Sequence, residues 1–172
     1  MMENVNRATY GEHTEKTLDD IIKKLGKYRK LDGTESLMDM GSGAGKLVIA
    51  LHSTGFFRNI GGVELLSGLY NDSLKLIEKY GKKFGKDTSN IVLSNGDMLD
   101  EDLSKYDVII ANMPINKSLT EAMIKKVNRE AKKDAVIISS ITPFVDDNLK
   151  QTEYFLTEYS WGTSHVNFSI KQ

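Results

Sequence analysis

The sequence predicts an α/β fold: a doubly wound sheet of seven strands with helices on both faces and a C-terminal antiparallel hairpin. Two observations lead to this prediction. Five short apolar runs alternate with segments of helical periodicity, which is the pattern of a parallel sheet covered by helices. After the fifth run, two strand-like runs at 152–159 and 164–170 are separated by only four residues. This short separation indicates a hairpin that adds the last two strands.

The individual elements follow from the spacing of apolar residues. A capping box of Ser118 and Glu121 is expected to open the last helix. The predicted helices cover 14–29, 46–54, 66–84 and 118–131. The five predicted strands before the hairpin cover 36–40, 59–65, 90–97, 106–114 and 135–141.

Length and composition predict a single globular domain over residues 1–172. The apolar fraction of 40% and the charged fraction of 27% are ordinary for such a domain. The chain has no cysteine, which excludes disulfides, thiolate metal sites and a cysteine nucleophile, and we expect no metal. No apolar run is long enough to span a membrane and no signal peptide is recognisable, so we expect an intracellular protein of cytoplasm or nucleus without a membrane partner. The net charge of −1 leaves any nucleic-acid binding to local patches.

The stretch DMGSGAGKLV at 39–48 is the clearest binding motif in the chain. It is not a P-loop, because Met40 and Leu47 stand where that loop needs a glycine and a Ser or Thr. Its glycines are spaced by two, whereas the dinucleotide fingerprint needs its third glycine three residues after the second. Glycines let a backbone approach a cofactor closely, and the N-terminus of the following helix favours a carboxylate. A plain strand-to-helix turn needs only one glycine, so three at alternate positions indicate a cofactor loop.

Two acids stand at the ends of predicted strands, where ligands of doubly wound sheets bind. Glu64 lies 19 residues after Gly45, and its carboxylate can bind both hydroxyls of a ribose. Asp97 would accept a hydrogen bond from an adenine amino group, with Met98 against the ring. The spacing of Glu64 suits NAD as well as S-adenosylmethionine. The C-terminal hairpin favours S-adenosylmethionine, because Rossmann-like class I methyltransferase sheets have such a hairpin and dinucleotide domains do not need it.

Asn112 ends the fourth predicted strand in the sequence ANMPI. This resembles the Asn-Pro-Pro-aromatic motif of amino-group methyltransferases, with Met113 in the second place and Ile115 in place of the aromatic. Methyl transfer to an amine is an in-line displacement. A side-chain carbonyl can orient the amine and offset the charge it gains. An Asn in a turn before a proline is also a common structural feature, so that alternative stays open.

Seven segments together carry a resemblance to one family: TYGEHT, DMGSGAGK, GGVEL, NGDML, VIIAN, SSITPF and YSW. Over nearly all of residues 9–170, the chain resembles the catalytic core of the non-SET histone lysine methyltransferases, the disruptor of telomeric silencing family. The resemblance implies the class I methyltransferase fold, S-adenosylmethionine as cofactor and a protein lysine as methyl acceptor. It places Tyr10 and Glu12 in a loop over the methionine end of the cofactor, and makes Asn112 and Tyr10 the catalytic candidates.

The remaining site residues are also implied by the resemblance. The channel for the lysine side chain would contain Phe144, Trp161 and Phe168, although core packing explains the two phenylalanines equally simply. Aromatic walls suit a lysine, because they desolvate the amine and attract the methylated cation. The implied cofactor contacts are Tyr10, Glu12, His13, Asp39, Gly41, Ser42, Gly43, Gly45, Lys46, Glu64, Asp97, Met98 and Asn112.

The chain departs from the family pattern near the cofactor and near the acceptor. His13 stands where the family has a threonine, and Lys46 where it has a glutamine. Met113 and Pro114 replace the family's second Asn and the aromatic after it. Three alternatives to a protein lysine therefore stay open: a nucleobase amine of RNA or DNA, a small-molecule amine, and a catalytically idle subunit that binds the cofactor.

Overall fold

The computed structural model describes residues 13–112, 117–160 and 162–172. Within these ranges, the chain forms four α-helices, one 3-10 turn and seven strands. In chain order they are α1 (Glu15–Leu25), β1 (Glu35–Met40), α2 (Lys46–Ser53), β2 (Phe57–Glu64), α3 (Ser67–Phe84), β3 (Ile91–Asn95), a 3-10 turn (Met98–Asp100), β4 (Val108–Ala111), α4 (Lys117–Glu130), β5 (Val136–Ser140), β6 (Leu149–Tyr159) and β7 (Gly162–Lys171).

The strands form one sheet in the order β3-β2-β1-β4-β5-β7-β6. The first five strands are parallel, and β7 lies antiparallel between β5 and β6. This confirms the predicted seven-stranded, doubly wound sheet with its C-terminal hairpin. The strand order reverses between β1 and β4, so the carboxyl ends of these two strands form the switch point at which doubly wound folds bind ligands.

Alternating side chains divide the core into two layers, one on each face of the sheet. On β4, Val108 and Ile110 belong to the cluster that includes residues of α1 and α2. Ile109 and Ala111 belong to the cluster that includes residues of α4. Strand residues point to opposite faces in turn, and both faces are covered, so these strands are apolar throughout. This double burial explains why β4 reads as a continuous apolar run.

Several predicted boundaries need correction. The first helix ends at Leu25 instead of residue 29, and the third strand ends at Asn95 instead of residue 97. The capping box is wrong, because α4 already begins at Lys117 and Ser118 therefore lies inside the helix. The sixth strand begins at Leu149, earlier than the predicted residue 152. A β-bulge between Gln151 and Glu153 interrupts the pairing with β7. A bulge breaks the two-residue alternation on which the strand prediction depends.

Within the described residues, no helix has the length and apolar character needed to cross a lipid bilayer. In the same ranges, no group of three or more His, Asp or Glu side chains is arranged to hold a metal ion.

Candidate active site

The glycine loop follows β1 directly and turns over the end of β2. Gly41, Gly43 and Gly45 have φ values of 86°, 53° and 77°, a region that glycine adopts far more readily than other residues. The backbone N–H groups of Gly41 and Ser42 both donate to the Val63 carbonyl, at 2.9 Å each. The alternate glycines therefore form a tight turn that is anchored to the neighbouring strand at the switch point.

Two glycines of this region are required by packing. A Cβ at Gly45 would lie 2.9 Å from the Ser73 Cβ of α3, so a side chain there would separate the loop from that helix. A Cβ at Gly62 would lie 2.9 Å from the Ser42 Cβ. Gly62 was missed as a site residue by the sequence reasoning, although the Gly-Gly pair within β2 was a signal for a close backbone approach.

Glu64 connects the glycine loop to the start of α3. Its Oε2 accepts a hydrogen bond from the Gly43 backbone N–H and its Oε1 accepts one from the Leu66 backbone N–H, each at 2.8 Å. The side chain is only 8% exposed because these contacts enclose it. A carboxylate has about four lone-pair positions, so Glu64 retains acceptor capacity for the hydroxyls of a ligand. This arrangement fits a ribose at the end of β2.

Asp39 is the most perturbed acid of the site. It lies near the end of β1 and is 2% exposed. Burial, with a smaller contribution from the nearby charge of Glu64, raises the pKa of Asp39 to about 7. A positively charged group beside Asp39 would favour its ionised form. A cationic ligand group beside Asp39 would therefore offset the cost of ionising this buried carboxyl group.

The third strand end lies close to the glycine loop. Asp97 caps the 3-10 turn, with its Oδ1 accepting from the Leu99 backbone N–H at 3.0 Å. Met98 is partly buried, and its Cε lies 3.8 Å from the position that a Cβ of Gly41 would occupy. The structure thus brings Met98 against Gly41, so the end of β3 and the glycine loop can contact the same ligand.

An apolar surface beside Glu64 was missed by the sequence reasoning. Leu65 is 47% exposed and Leu66 is 41% exposed, immediately after the acid that ends β2. Exposed apolar side chains beside a strand-end acid can pack against a flat ring such as adenine. The signal was present in the sequence as an apolar pair directly after a strand-end acid.

Asn112 lies directly after β4 at the switch point and contacts the N-terminal segment. Its Nδ2 is 3.2 Å from His13 Nδ1 and 3.1 Å from His13 Nε2. Burial lowers the pKa of His13 to about 4, so the ring is neutral at pH 7 and carries one acceptor nitrogen. The His13 ring also lies against Tyr159, with ring centroids 5.2 Å apart.

The two phenylalanines assigned to the acceptor channel are not brought together. Phe144 and Phe168 have no exposed surface. Phe144 belongs to the core cluster on the α4 face, whereas Phe168 belongs to the cluster on the α1 face. The sheet separates the two rings, so they cannot form two walls of one channel in this structure. Their apolar spacing could not distinguish a core residue from a channel residue.

Two of the five remaining candidates, Lys46 and Ser42, lie in the described part of the chain. Lys46 is exposed and begins α2, whereas Ser42 is buried beneath the loop. Tyr10, Glu12 and Trp161 lie outside the described residues, as do Met113 and its neighbours up to residue 116.

Comparison with known proteins identifies the family. The sequence model of the histone methylation protein DOT1 matches residues 2–159 of this chain. The chain belongs to the DOT1 family. The resemblance predicted from the sequence is thereby confirmed, and the sheet is that of the class I methyltransferases. The glycine loop, the Glu64 carboxylate and the apolar surface at Leu65 fit S-adenosylmethionine, the cofactor that the resemblance implies.

A curated relative and two solved structures are also similar to the DOT1-family chain. The protein-lysine N-methyltransferase EFM4 of Saccharomyces cerevisiae is 26% identical over 149 residues, which span 78% of this chain and 62% of EFM4. An RNA methyltransferase of Salinibacter ruber, solved with S-adenosyl-L-homocysteine, superposes with a TM-score of 0.68 at 18% identity, covering 93% of this chain and 94% of the other. The N-methyltransferase NodS of Bradyrhizobium japonicum superposes with a TM-score of 0.67 at 8% identity, covering 90% of this chain and 95% of NodS. At these identities the two structures show the shared fold alone.

Proposed function

We propose that this enzyme transfers the methyl group of S-adenosylmethionine to the side-chain amine of a lysine in a protein substrate. The observation that carries the proposal is the environment of Asn112. Its amide nitrogen faces a neutral imidazole at 3.1–3.2 Å, which leaves its carbonyl oxygen available to a donor at the switch point. A neutral amine is such a donor. Membership of the DOT1 family and the similarity to the lysine methyltransferase EFM4 support a protein lysine as the source of that amine.

Asn112 would act by orientation and by electrostatics. The acceptor amine must first lose its proton to water, because only its lone pair can form the new C–N bond as the C–S bond breaks. The Asn112 carbonyl would hold an N–H of that amine and would interact more strongly as the nitrogen becomes cationic. Since His13 is neutral, it adds no repulsive charge beside the developing cation. No proton needs to reside on Asn112 at any stage.

Other residues of this chain would hold the cofactor, which supplies the electrophilic methyl group on its sulfonium sulfur. Glu64 would bind the ribose hydroxyls with its remaining lone pairs. Asp97 and Met98 would contact the adenine from one side, and Leu65 from the other side. Asp39 would be favoured in its ionised form by a cationic group of the cofactor.

A nucleobase amine is the second candidate for the acceptor. The sequence Asn-Met-Pro at 112–114 favours it, because this sequence resembles the Asn-Pro-Pro motif of enzymes that methylate exocyclic amines. The chemistry at Asn112 would be the same, and only the source of the amine differs.

Radiolabelled methyl transfer into a cell lysate, followed by parallel protease and nuclease treatment, tests the proposal. We expect the label to be released by protease and recovered as methylated lysine after hydrolysis. Label released by nuclease would show that the methyl acceptor is a nucleobase and not a lysine. Label in neither fraction would indicate a small-molecule acceptor. If no label is transferred although S-adenosylmethionine binds, the chain is an idle subunit and the proposal fails.

The role of Asn112 is tested separately with the substrate identified in that way. Asn112→Ala should bind S-adenosylmethionine within a few-fold of the parent and lose roughly 10²–10³ in turnover, the usual effect of removing one preorganised contact. Asn112→Asp keeps an acceptor at nearly the same place, so it should retain more activity than the alanine variant. Asn148→Ala removes the same side chain from an exposed loop and serves as the matched control. Unchanged turnover of Asn112→Ala would remove this residue from the mechanism.

A further inference from the structure

We propose that Ile141 is a specificity-determining residue, which contacts the aliphatic part of the methyl acceptor beside Asn112. The inference rests on the proposed function, because it takes a protein lysine as the acceptor. It adds to the acceptor site a residue to which the sequence reasoning gave no role.

Ile141 has a backbone conformation that its own side chain disfavours. Its φ is 67°, and a β-branched residue in this left-handed region is a genuine outlier. The Thr142 backbone N–H donates to the Ser140 carbonyl at 2.7 Å, which closes a three-residue turn around Ile141. Such a turn with a positive φ at its centre is rare and strained. Glycine adopts this conformation readily, so the turn by itself gives no reason for an isoleucine.

Neighbouring hydrogen bonds hold the strained turn in place. The Ile141 backbone N–H donates to the His165 carbonyl of β7 at 3.1 Å. The buried Ser139 hydroxyl donates to the Thr142 carbonyl at 2.8 Å. The buried Asn167 side chain donates in turn to the Ser139 carbonyl at 3.4 Å. Strained residues persist where their surroundings determine the conformation, and they cluster at ligand sites, so the turn indicates a functional role for the isoleucine side chain.

The turn lies next to Asn112 at the edge of the sheet. Ala111 of β4 pairs with Ser139 of β5. Asn112 is therefore level with Ser140, and Ile141 follows one residue later on a strand that lies about 4.8 Å away. The proposed cofactor contacts lie at the ends of β1, β2 and β3, on the other side of β4. A methyl acceptor held at Asn112 thus extends towards the end of β5.

The chemistry of the Ile141 side chain suits a lysine. This side chain is apolar and remains 38% exposed at the end of β5. A lysine carries its amine on a flexible hydrocarbon stem, and the amine is nucleophilic only when it is neutral. An apolar neighbour removes the stem from water and disfavours the charged form of the amine. A nucleobase has no such stem and packs better against a flat ring than against a β-branched side chain.

The loop that follows Ile141 favours a protein over a nucleic acid. Residues 141–148 read ITPFVDDN and contain two acids and no Lys or Arg. Both acids, Asp146 and Asp147, are exposed. Nucleic acids are held mainly by basic side chains on their phosphates, so this loop repels a nucleic acid. It attracts a segment that carries a lysine.

Substitutions at Ile141 separate the apolar side chain from the backbone strain. Ile141→Val and Ile141→Thr are both branched at Cβ and similar in volume, so they differ mainly in a hydroxyl that replaces a methyl group. Ile141→Gly removes the side chain and the strain together. Asp134→Gly is the matched control, because Asp134 has a φ of 64° and lies exposed before the opposite end of β5.

The kinetics are measured on the protein that becomes labelled in the lysate experiment. We expect Ile141→Gly to lower kcat/KM for that protein about tenfold, mainly through KM, with the Kd of S-adenosylmethionine within about twofold of the parent. Ile141→Val should stay within about threefold of the parent, and Ile141→Thr should be several-fold less active than Ile141→Val. Asp134→Gly should have the kcat/KM of the parent.

The outcomes distinguish this inference from the proposed function. If the label is in protein and Ile141→Gly has a parent-like kcat/KM, the inference alone is wrong. Equal activity of the Val and Thr variants would show that the apolar character of the side chain is irrelevant, and would also overturn it. The same holds for a loss in Asp134→Gly equal to that in Ile141→Gly, or for a parallel loss of cofactor affinity in the Ile141 variants. Label outside the protein fraction overturns the proposed function and this inference together.

Discussion

Asp39 makes the stability of the protein depend on pH in a way that one substitution can isolate. Burial, with a further contribution from Glu64, raises its pKa in the folded protein from the ordinary value of 3.8 to about 7. Between these two pH values the folded state holds a proton that the unfolded chain has lost. The contribution of Asp39 to the free energy of unfolding therefore falls as pH rises through this window and reaches its lowest value above pH 7. Asp39→Asn removes the titrating group and with it this pH dependence.

The size of the effect follows from the width of the window. One pKa unit corresponds to about 1.4 kcal/mol, so a change from 3.8 to about 7 amounts to at most about 4.5 kcal/mol. The variant should thus gain stability relative to the parent as pH rises from 5 to 8. Any cost of placing an amide in the buried position is the same at every pH. It therefore changes the difference in free energy of unfolding between the two proteins by a constant and leaves the pH dependence of that difference unaltered.

Urea denaturation at pH 5, 6, 7 and 8 measures this difference directly. Asp19→Asn makes the same change of charge on the exposed surface of α1 and serves as the control. We expect the stability difference between Asp39→Asn and the parent to increase by about 2.5–3 kcal/mol over this range, because only pH 5 to about 7 lies inside the window, and that of the control to stay flat. Parallel curves for Asp39→Asn and the parent would refute the reasoning, because the acid would then titrate alike in the folded and unfolded states.

Two further predictions concern the glycine loop and the acid that holds it. Glu64→Ala should weaken the binding of S-adenosylmethionine by roughly 1.5–3 kcal/mol, the usual contribution of hydrogen bonds to a charged group, and calorimetric titration with an unchanged Kd would contradict this. Gly45→Ala should lower the free energy of unfolding by about 1–3 kcal/mol in urea, because its φ of 77° is strained for alanine and the new Cβ would meet Ser73 at 2.9 Å. Gly85→Ala, with a φ of 60° and no atom within 4 Å of its Cβ, controls for the backbone strain alone, and an equal loss in both variants would exclude the packing contact.

The sequence was sufficient to predict the sheet and the edge at which the site lies. The parallel strands are buried on both faces, so each appears as a short apolar run between amphipathic helices. The carboxyl ends of parallel strands share one edge, which is why Asp39, Glu64, Asp97 and Asn112 could be assigned to one site from their positions alone. These predictions depend on contacts within one element or on a property that all parallel sheets share.

Local patterns predicted the ends of elements, and the sheet face of a residue, less reliably than the elements themselves. The capping signal at Ser118 was misleading, because α4 already begins at Lys117. The bulge in β6 allows Leu149 to pair with Lys171, although the apolar alternation starts later in the sequence. Hydrophobic spacing also could not tell that Phe144 and Phe168 lie on opposite faces of the sheet.

Tertiary structure alone decided the contacts inside the site. His13 and Asn112 are 99 residues apart in the chain, and neither residue type predicts the other as its partner. The bond from the Gly43 N–H to Glu64 likewise forms only when β2 pairs with β1. Burial is also a property of the folded chain, and it raises the pKa of Asp39 and lowers that of His13. The residue types that can do the chemistry are therefore readable in the sequence, whereas their protonation and orientation depend on which groups the fold excludes from water.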